Sequence, residues 1–440
     1  MTISEQPMGS VVLTTKTELR TGFLPWLYWG VAAFFFFVEY FVRVSPGVMA
    51  EDLMRELNVT AMALGSLSAF FYYAYLGMQV PVGVLVDRFG PRLLLIFATA
   101  LCACSSVWFA QATSVGSASI ARFCLGFGSS FAFVGALKLA TSWLPARYWG
   151  ILVGITQGIG MLGACVGEAP MAAAVEMWGW RQTMLYIAML QGAMCLFIML
   201  VVRDRASSTT QLASAKRTNK EGIFKSLGVV LSSPQTWFNA LFSGLLFAPT
   251  ALFGELWGVT FLTSTSSVST HEAATAVGLI FIGWTIGGPA VGWFSDKIKR
   301  RKPIMYVSAL SGLILLPFIV FFSASSPQWM IASALALYGF FNSGLVASYA
   351  VCTEINPKHV SGVALGFTNM ASVIIGALFQ PIVGALLDWQ WDGSLANGTP
   401  IYAAETFRNT MLVMPLCSLG ALLCAFKVQE TYCLPLEDRE

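Results

Sequence analysis

From residue 24 onward the chain alternates between long, continuous apolar stretches and short polar breaks. A bilayer core of about 30 Å takes about 20 apolar residues of helix. Stretches of that length recur near 24–48, 60–86, 92–111, 115–143, 149–174, 181–202, 236–263, 273–295, 303–323, 328–352, 360–387 and 408–428. They are continuous rather than alternating, which predicts helices and not the strands of a barrel. The pattern therefore predicts an all-α membrane protein with twelve transmembrane helices.

One polar stretch interrupts the rhythm. Residues 203–235 open with Arg203-Asp204-Arg205 and continue through Lys216, Arg217, Lys220 and Lys225. They read as a flexible linker with a short surface helix around Ile223–Leu231. The expected organisation is a polar tail over 1–22, a six-helix bundle over 23–202, the linker over 203–235, a second bundle over 236–428 and a tail over 429–440. The bundles repeat each other. Gly83, Asp87 and Arg88 match Gly292, Asp296 and Lys297 at an offset of 209 residues. Gly150, Gly154, Thr156 and Gln157 match Gly362, Gly366, Thr368 and Asn369 at 212. Six helices per repeat bring each copy in and out on the same side, so the halves are related by a pseudo-two-fold axis along the membrane normal. The seam between such halves is where a transporter holds its substrate.

Composition agrees with the pattern. Hydrophobic residues make up 56% and charged residues 11%, whereas soluble domains carry about 25% charged. The net charge of +3 provides no field for nucleic acid. Two histidines, and nine cysteines that all but Cys433 lie in apolar runs, leave little for a zinc site or a hydrolytic triad. No metal, cofactor or enzymatic activity is expected. The first 22 residues lack the apolar core of a cleavable signal. Nineteen Lys and Arg fall on the side of the termini against three, Arg55, Arg181 and Arg408, on the other. The positive-inside rule then puts both termini in the cytoplasm.

The segment Gly83-x-x-x-Asp87-Arg88-x-Gly90-x-Arg92 ends the second apolar run, and its degenerate copy reads Gly292-x-x-x-Asp296-Lys297. This pattern resembles the signature loop of the major facilitator superfamily, and the resemblance covers the whole chain. It implies that fold and a gating role for Asp87, Arg88, Arg92 and Asp296. Asp87 can cap a neighbouring helix or pair with a base, in a latch that breaks as the halves rock.

Charges also lie inside the apolar runs: Glu39, Arg43, Arg122, Lys138, Glu168 and Glu255. Each costs about 2.5–3.5 kcal/mol at a helix centre, so they must face one another or a wet cavity. Glu39 and Arg43, four apart, share a helix face. The stretches Glu39-Tyr40-x-x-Arg43, Arg122-x-x-x-Gly126 and Gly179-Trp180-Arg181 resemble the bacterial anion:cation symporter branch of the superfamily. That resemblance implies that Arg43 and Arg122 bind a substrate anion. A guanidinium suits a carboxylate because it donates two parallel hydrogen bonds. The branch's usual acids are replaced here by Val42 and Ser129, which leaves Glu39 or Glu168 as proton carriers. Tyr40, Tyr73, Glu255, Asn342 and Asn369 are further expected substrate contacts, and Tyr72 and Tyr75 are candidate cavity lining. Pro81, Pro170, Pro289 and Pro381 are expected to bend their helices.

The function expected is secondary active transport of a small organic anion or zwitterion, carboxylate or amino-acid-like. It would run by alternating access and proton-coupled symport, in a monomer in the bacterial inner membrane. The alternative is an exporter or exchanger of drugs or of a carboxylate siderophore.

Overall fold

The computed structural model describes residues 22–145, 148–204, 223–266, 268–396 and 399–438. Among them, eleven helices are long and apolar enough to cross a bilayer, and Ile151–Val166 is a shorter apolar helix. Span 1 is Phe23–Val48, span 2 Ala61–Phe89, span 3 Pro91–Ala110 and span 4 Val115–Trp143. Span 5 begins as Trp149–Val166, breaks at Gly167-Glu168 and resumes in the first part of the helix Ala169–Val201. Gly179, at φ 75°, bends that helix sharply, and the part beyond it is span 6. Spans 7 to 12 are Pro234–Thr265, Thr270–Ile298, Lys302–Phe322, Gln328–Glu354, Ser361–Trp389 and Ala404–Lys427. The tail before residue 22 and most of the linker, with Arg205, Lys216, Arg217 and Lys220, lie outside the described residues. The surface helix near the linker's end runs Ile223–Ser232. An antiparallel pair of two-residue strands, Leu395–Ala396 with Thr399–Pro400, joins spans 11 and 12.

The expected continuous fifth helix is broken for a reason visible in its sequence. Pro170 has no N–H and its ring crowds the residue four positions earlier, so the helix before it cannot run on. A new helix starts there with Pro170 in its first turn. The seventh span also departs from a plain α-helix. Thr250–Trp257 is a π-helix directly after Pro249, the wider winding that tends to mark functional sites.

The repeat holds at the level of single carbonyls. A Cβ at Gly126 of span 4 would lie 2.0 Å from the Phe71 carbonyl oxygen of span 2. In the second half a Cβ at Gly339 of span 10 would lie 2.0 Å from the Ile280 carbonyl of span 8. Only glycine allows either crossing. Both halves are thus clamped by the same helix pair. The halves meet along spans 2 and 11, spans 1 and 7, and spans 5 and 8. Spans 3, 6, 9 and 12 carry large exposed apolar side chains such as Phe97, Leu200, Ile314 and Leu416, as helices facing lipid do.

Candidate functional site

Span 1 organises the centre. Glu39 and Arg43 are both buried, and Arg43 donates through Nε at 3.0 Å and Nη2 at 2.6 Å to one Glu39 oxygen. Its guanidinium also lies 4.2 Å from the Tyr40 ring centre and 4.9 Å from that of Tyr75, two cation–π contacts. Pro46, which the sequence reading passed over, explains where Arg122 goes. Without an N–H at 46, the Val42 carbonyl has lost its helical donor. Ser45 Oγ donates to it at 2.8 Å and Arg122 Nη1 at 2.9 Å, while Arg122 Nη2 donates to the Arg43 carbonyl at 3.2 Å. The two arginines expected to act together are therefore joined through the backbone of span 1, with Phe71 packed 4.8 Å from the Arg122 guanidinium.

Glu255 enters from the other half on the π-helix. The Tyr72 hydroxyl donates to Glu255 Oε2, a bond that crosses the seam, and Oε1 has no partner. Glu168 sits at the break in span 5, buried, with no partner on Oε2, and its Cβ is 3.5 Å from where a Cβ at Gly278 of span 8 would stand. Tyr40 receives a long hydrogen bond of 3.5 Å from Gln157. Asn369 also bridges the halves: its Nδ2 donates to Gln79 Oε1 at 3.2 Å and its Oδ1 accepts from Tyr349 at 3.0 Å.

Two expected contacts are not brought to this centre. Tyr73 shares the outward face of span 2 with Met62 and Phe70 and is 38% exposed, whereas its neighbours Tyr72 and Tyr75 turn inward. A 100° step per residue decides this, since residues one apart cannot share a face. Asn342 is buried inside the second half. Its amide donates to the Leu246 carbonyl at 2.9 Å and accepts from Thr250 at 3.1 Å, so it braces the start of the π-helix.

The motif residues lie at the end of the bundle that carries the chain ends, here the terminal face. Asp87 pairs with Lys138 of span 4 at 2.5 Å, within its own half rather than across the seam. Arg92 donates through its backbone N–H to Asp204 at 3.0 Å and through Nη2 to the Met199 carbonyl at 2.7 Å, at the end of span 6. Arg88 lies with its guanidinium 5.2 Å from the ring of Phe89. In the second copy Arg301 bridges Asp296 at 2.6 Å and Glu354 at 2.8 Å. Lys138, expected inside span 4, is 40% exposed at its terminal end.

The opposite, distal face holds a contact that no motif announces. Asp388 of span 11 accepts from the backbone N–H groups of Ala61 at 3.2 Å and Met62 at 3.0 Å, the first residues of span 2. Tyr402 donates its hydroxyl to Asp388 and accepts from the same Ala61 N–H at 3.0 Å. Thr60 gives that helix no side-chain cap of its own, so span 2 is capped from the other half. Among the described residues, hydrogen bonds between the halves run from this cap through Tyr72–Glu255 to Gln79–Asn369.

Comparison with known proteins fits this geometry. The chain is 22% identical over 375 residues to a probable sulfoacetate transporter, SauU, of Cupriavidus necator, covering 82% of this chain and 86% of that one. It is 23% identical over 418 residues to the probable galactarate/D-glucarate transporter GudP of Escherichia coli, covering 85% and 89%. It is also 22% identical over 444 residues to the membrane sensor protein UhpC of Salmonella typhimurium, covering 94% and 97%. Among solved structures, an inward-facing, unoccupied bacterial homologue of the human lysosomal transporter Spinster superposes with a TM-score of 0.78 at 14% identity, covering 92% of this chain and 97% of that one. The model of the Major Facilitator Superfamily matches residues 31–381, and with its two six-helix halves clamped alike this chain is a multi-pass membrane protein that belongs to that superfamily of transporters, not an enzyme.

Proposed function

We propose that the protein is a secondary active transporter of a small organic anion or zwitterion that works by alternating access and proton-coupled symport. The observation that carries this reading is the pair of fully buried guanidiniums, Arg43 and Arg122, set beside buried carboxylates at the seam between the halves. Such charges are costly in apolar surroundings unless they serve one another or a ligand. The relatives SauU and GudP, named for sulfoacetate and sugar diacids, support an anionic group in the cargo. The bias of Lys and Arg toward the loops on the side of the termini supports a cytoplasmic terminal face in the inner membrane. Among the described residues the cross-seam hydrogen bonds lie in the distal and central layers, which supports a state closed toward the outside along spans 2 and 11.

Glu39 is the proposed proton carrier. It is held by Arg43, so a substrate carboxylate that takes over Arg43 weakens the pair and favours a proton on Glu39. In liposomes with an imposed pH gradient, Arg122→Ala and Arg43→Ala abolish binding and uptake, while Glu39→Gln loses accumulation but keeps counterflow. Accumulation by Glu39→Gln overturns its role. Saturable binding with no flux in wild type turns the reading toward a sensor, as UhpC is named.

A further inference from the structure

The central layer holds more acid than the proposed anion site uses. Arg43 is committed to Glu39, and Arg122 spends both terminal nitrogens on carbonyls of span 1. The unmet hydrogen-bonding capacity is mostly that of acceptors. Glu39 Oε2, Glu168 Oε2, Glu255 Oε1 and Gln380 Oε1 are all sealed from solvent without a donor. Leaving a buried polar group unpaired costs about 1–3 kcal/mol, and more for a charged one. Two of these carboxylates come from different halves and approach the same stretch of span 1. Gly167, just before Glu168, is pressed against Phe41 and Val44, and the Glu255 backbone lies against Gly47. Phe41, Val44 and Gly47 follow at three-residue steps, so each shares a side of that helix with the next.

We propose that Glu168 and Glu255 form a cation subsite for a substrate ammonium group, so that the cargo carries an amine as well as a carboxylate: it is an amino acid or a close analogue. The proposal rests on the transport reading above and narrows it. Charge bookkeeping favours it. With the Arg43–Glu39 pair neutral and both remaining glutamates counted as ionised, Arg122 against Glu168 and Glu255 leaves one excess negative charge. A simple anion doubles that excess, whereas a zwitterion adds none and one co-transported proton removes it. An ammonium also brings three donors to a layer where four side-chain oxygens lack one and Arg122 Nε is the unpaired donor of the two arginines. Because Glu168 belongs to the first half and Glu255 to the second, an amine bound between them draws the halves together, and the same contact couples binding to rocking.

Matched triplets test this: an amino acid, the carboxylate without its amine and the amine without its carboxylate. Examples are alanine, propionate and ethylamine, then leucine, 4-methylpentanoate and isoamylamine; in the acidic set, glutamate, glutarate and 4-aminobutyrate, the last loses only the α-carboxylate. Affinity is read by thermal shift and isothermal titration on the purified full-length chain, with sodium chloride exchanged for choline chloride in a parallel arm. The expected result is at least tenfold tighter binding of one amino acid than of its carboxylate, with no need for sodium. Glu168→Gln brings that ratio to within about threefold of one, mainly by weakening the amino acid. Glu255→Gln is the second variant should the first fail to fold, and the wild-type ratio stands without either. A carboxylate that binds as tightly as its amino acid, in wild type, overturns the cation subsite and leaves anion transport intact. Binding that demands sodium assigns the two carboxylates to a metal cation and overturns the ammonium proposal. Failure of every triplet to bind overturns the parent reading of a carboxylate-bearing cargo.

Discussion

Of the seams between the halves, that of spans 2 and 11 and that of spans 5 and 8 are counterparts under the internal repeat, yet they are closed to different degrees. At the seam of spans 2 and 11, a Cβ on Gly65 would stand 2.5 Å from the Gln380 carbonyl, and one on Gly384 would stand 2.4 Å from that of Ala61. The repeat offsets place Ala274 and Ala172 at the matching positions of spans 8 and 5, so a methyl group stands where the other seam has glycine. The nearest glycine at that seam, Gly278, has 3.5 Å of clearance to Cys165 and Glu168. The ends differ too. Asp388 caps span 2 across one seam, whereas its counterpart Glu176 faces a helix that caps itself: Ser269 and Glu272 of span 8 form a reciprocal box. A cavity of about 930 Å3, lined by Glu51, Glu56, Glu176, Arg181 and Thr270 among others, opens there on the distal face. One methyl group per contact point is enough to separate a tight seam from a loose one. The loose seam is also where the buried Glu168 sits, in place of the neutral Gln380, which is pinned by its bond to the Ala251 carbonyl at 3.0 Å.

The sharpest way to break this comparison is to put the same methyl group on each side. Gly65→Ala forces its Cβ into backbone, a clash worth about 1–3 kcal/mol, so the population should shift about 5–150-fold toward the state open on the distal face. Gly278→Ala meets ordinary contact distances and gains about 0.5–1 kcal/mol of helix propensity in place of a clash. Spin labels at Asn58 and Trp389, read by double electron–electron resonance, should report a longer distance for the first variant and none for the second. Equal distributions in both would mean that glycine spacing does not set seam closure.

A smaller effect is expected from the cap. Asp388→Ala removes the carboxylate oxygens that accept two backbone N–H bonds, and a charge at a helix N-terminus, about 1 kcal/mol, or roughly fivefold in the same population ratio. Glu176→Ala should leave it unchanged, because Ser269 already serves span 8. If Glu176→Ala moves the labels as far as Asp388→Ala does, the two ends are energetically alike and the asymmetry is only apparent.

The smallest change belongs to the terminal face. The Asp87–Lys138 pair is largely exposed, and such pairs are worth about 0–1 kcal/mol. Asp87→Asn should therefore leave substrate affinity within about twofold and slow counterflow modestly, with Lys138→Met giving the same phenotype. A loss of binding with intact folding would place Asp87 in the site. Because Asp87 binds inside its own half, its influence on rocking passes through the placement of span 4 rather than through a bond across the seam.

Much of this molecule was legible without coordinates. Continuous apolar runs of bilayer length can only be helices, because every backbone polar group must be satisfied within its own segment. The repeat offsets of 209 and 212 pointed to two halves of like build, and the i,i+4 spacing of Glu39 and Arg43 put the two on one helix face, where they pair. Pro170 carried the break at Glu168 in its missing N–H, and Pro46 carried the docking point of Arg122 in the same way, though that signal was not read. What the sequence could not decide was every relation between elements far apart in the chain. Tyr72 rather than Tyr73 meets Glu255 because rotation of span 2 is set by packing, and Asp388 caps a helix 327 residues away through no local pattern. Seam distances depend on which glycine stands opposite which carbonyl. Composition can state how many charges are buried, whereas only the folded chain decides which of them are left without a partner.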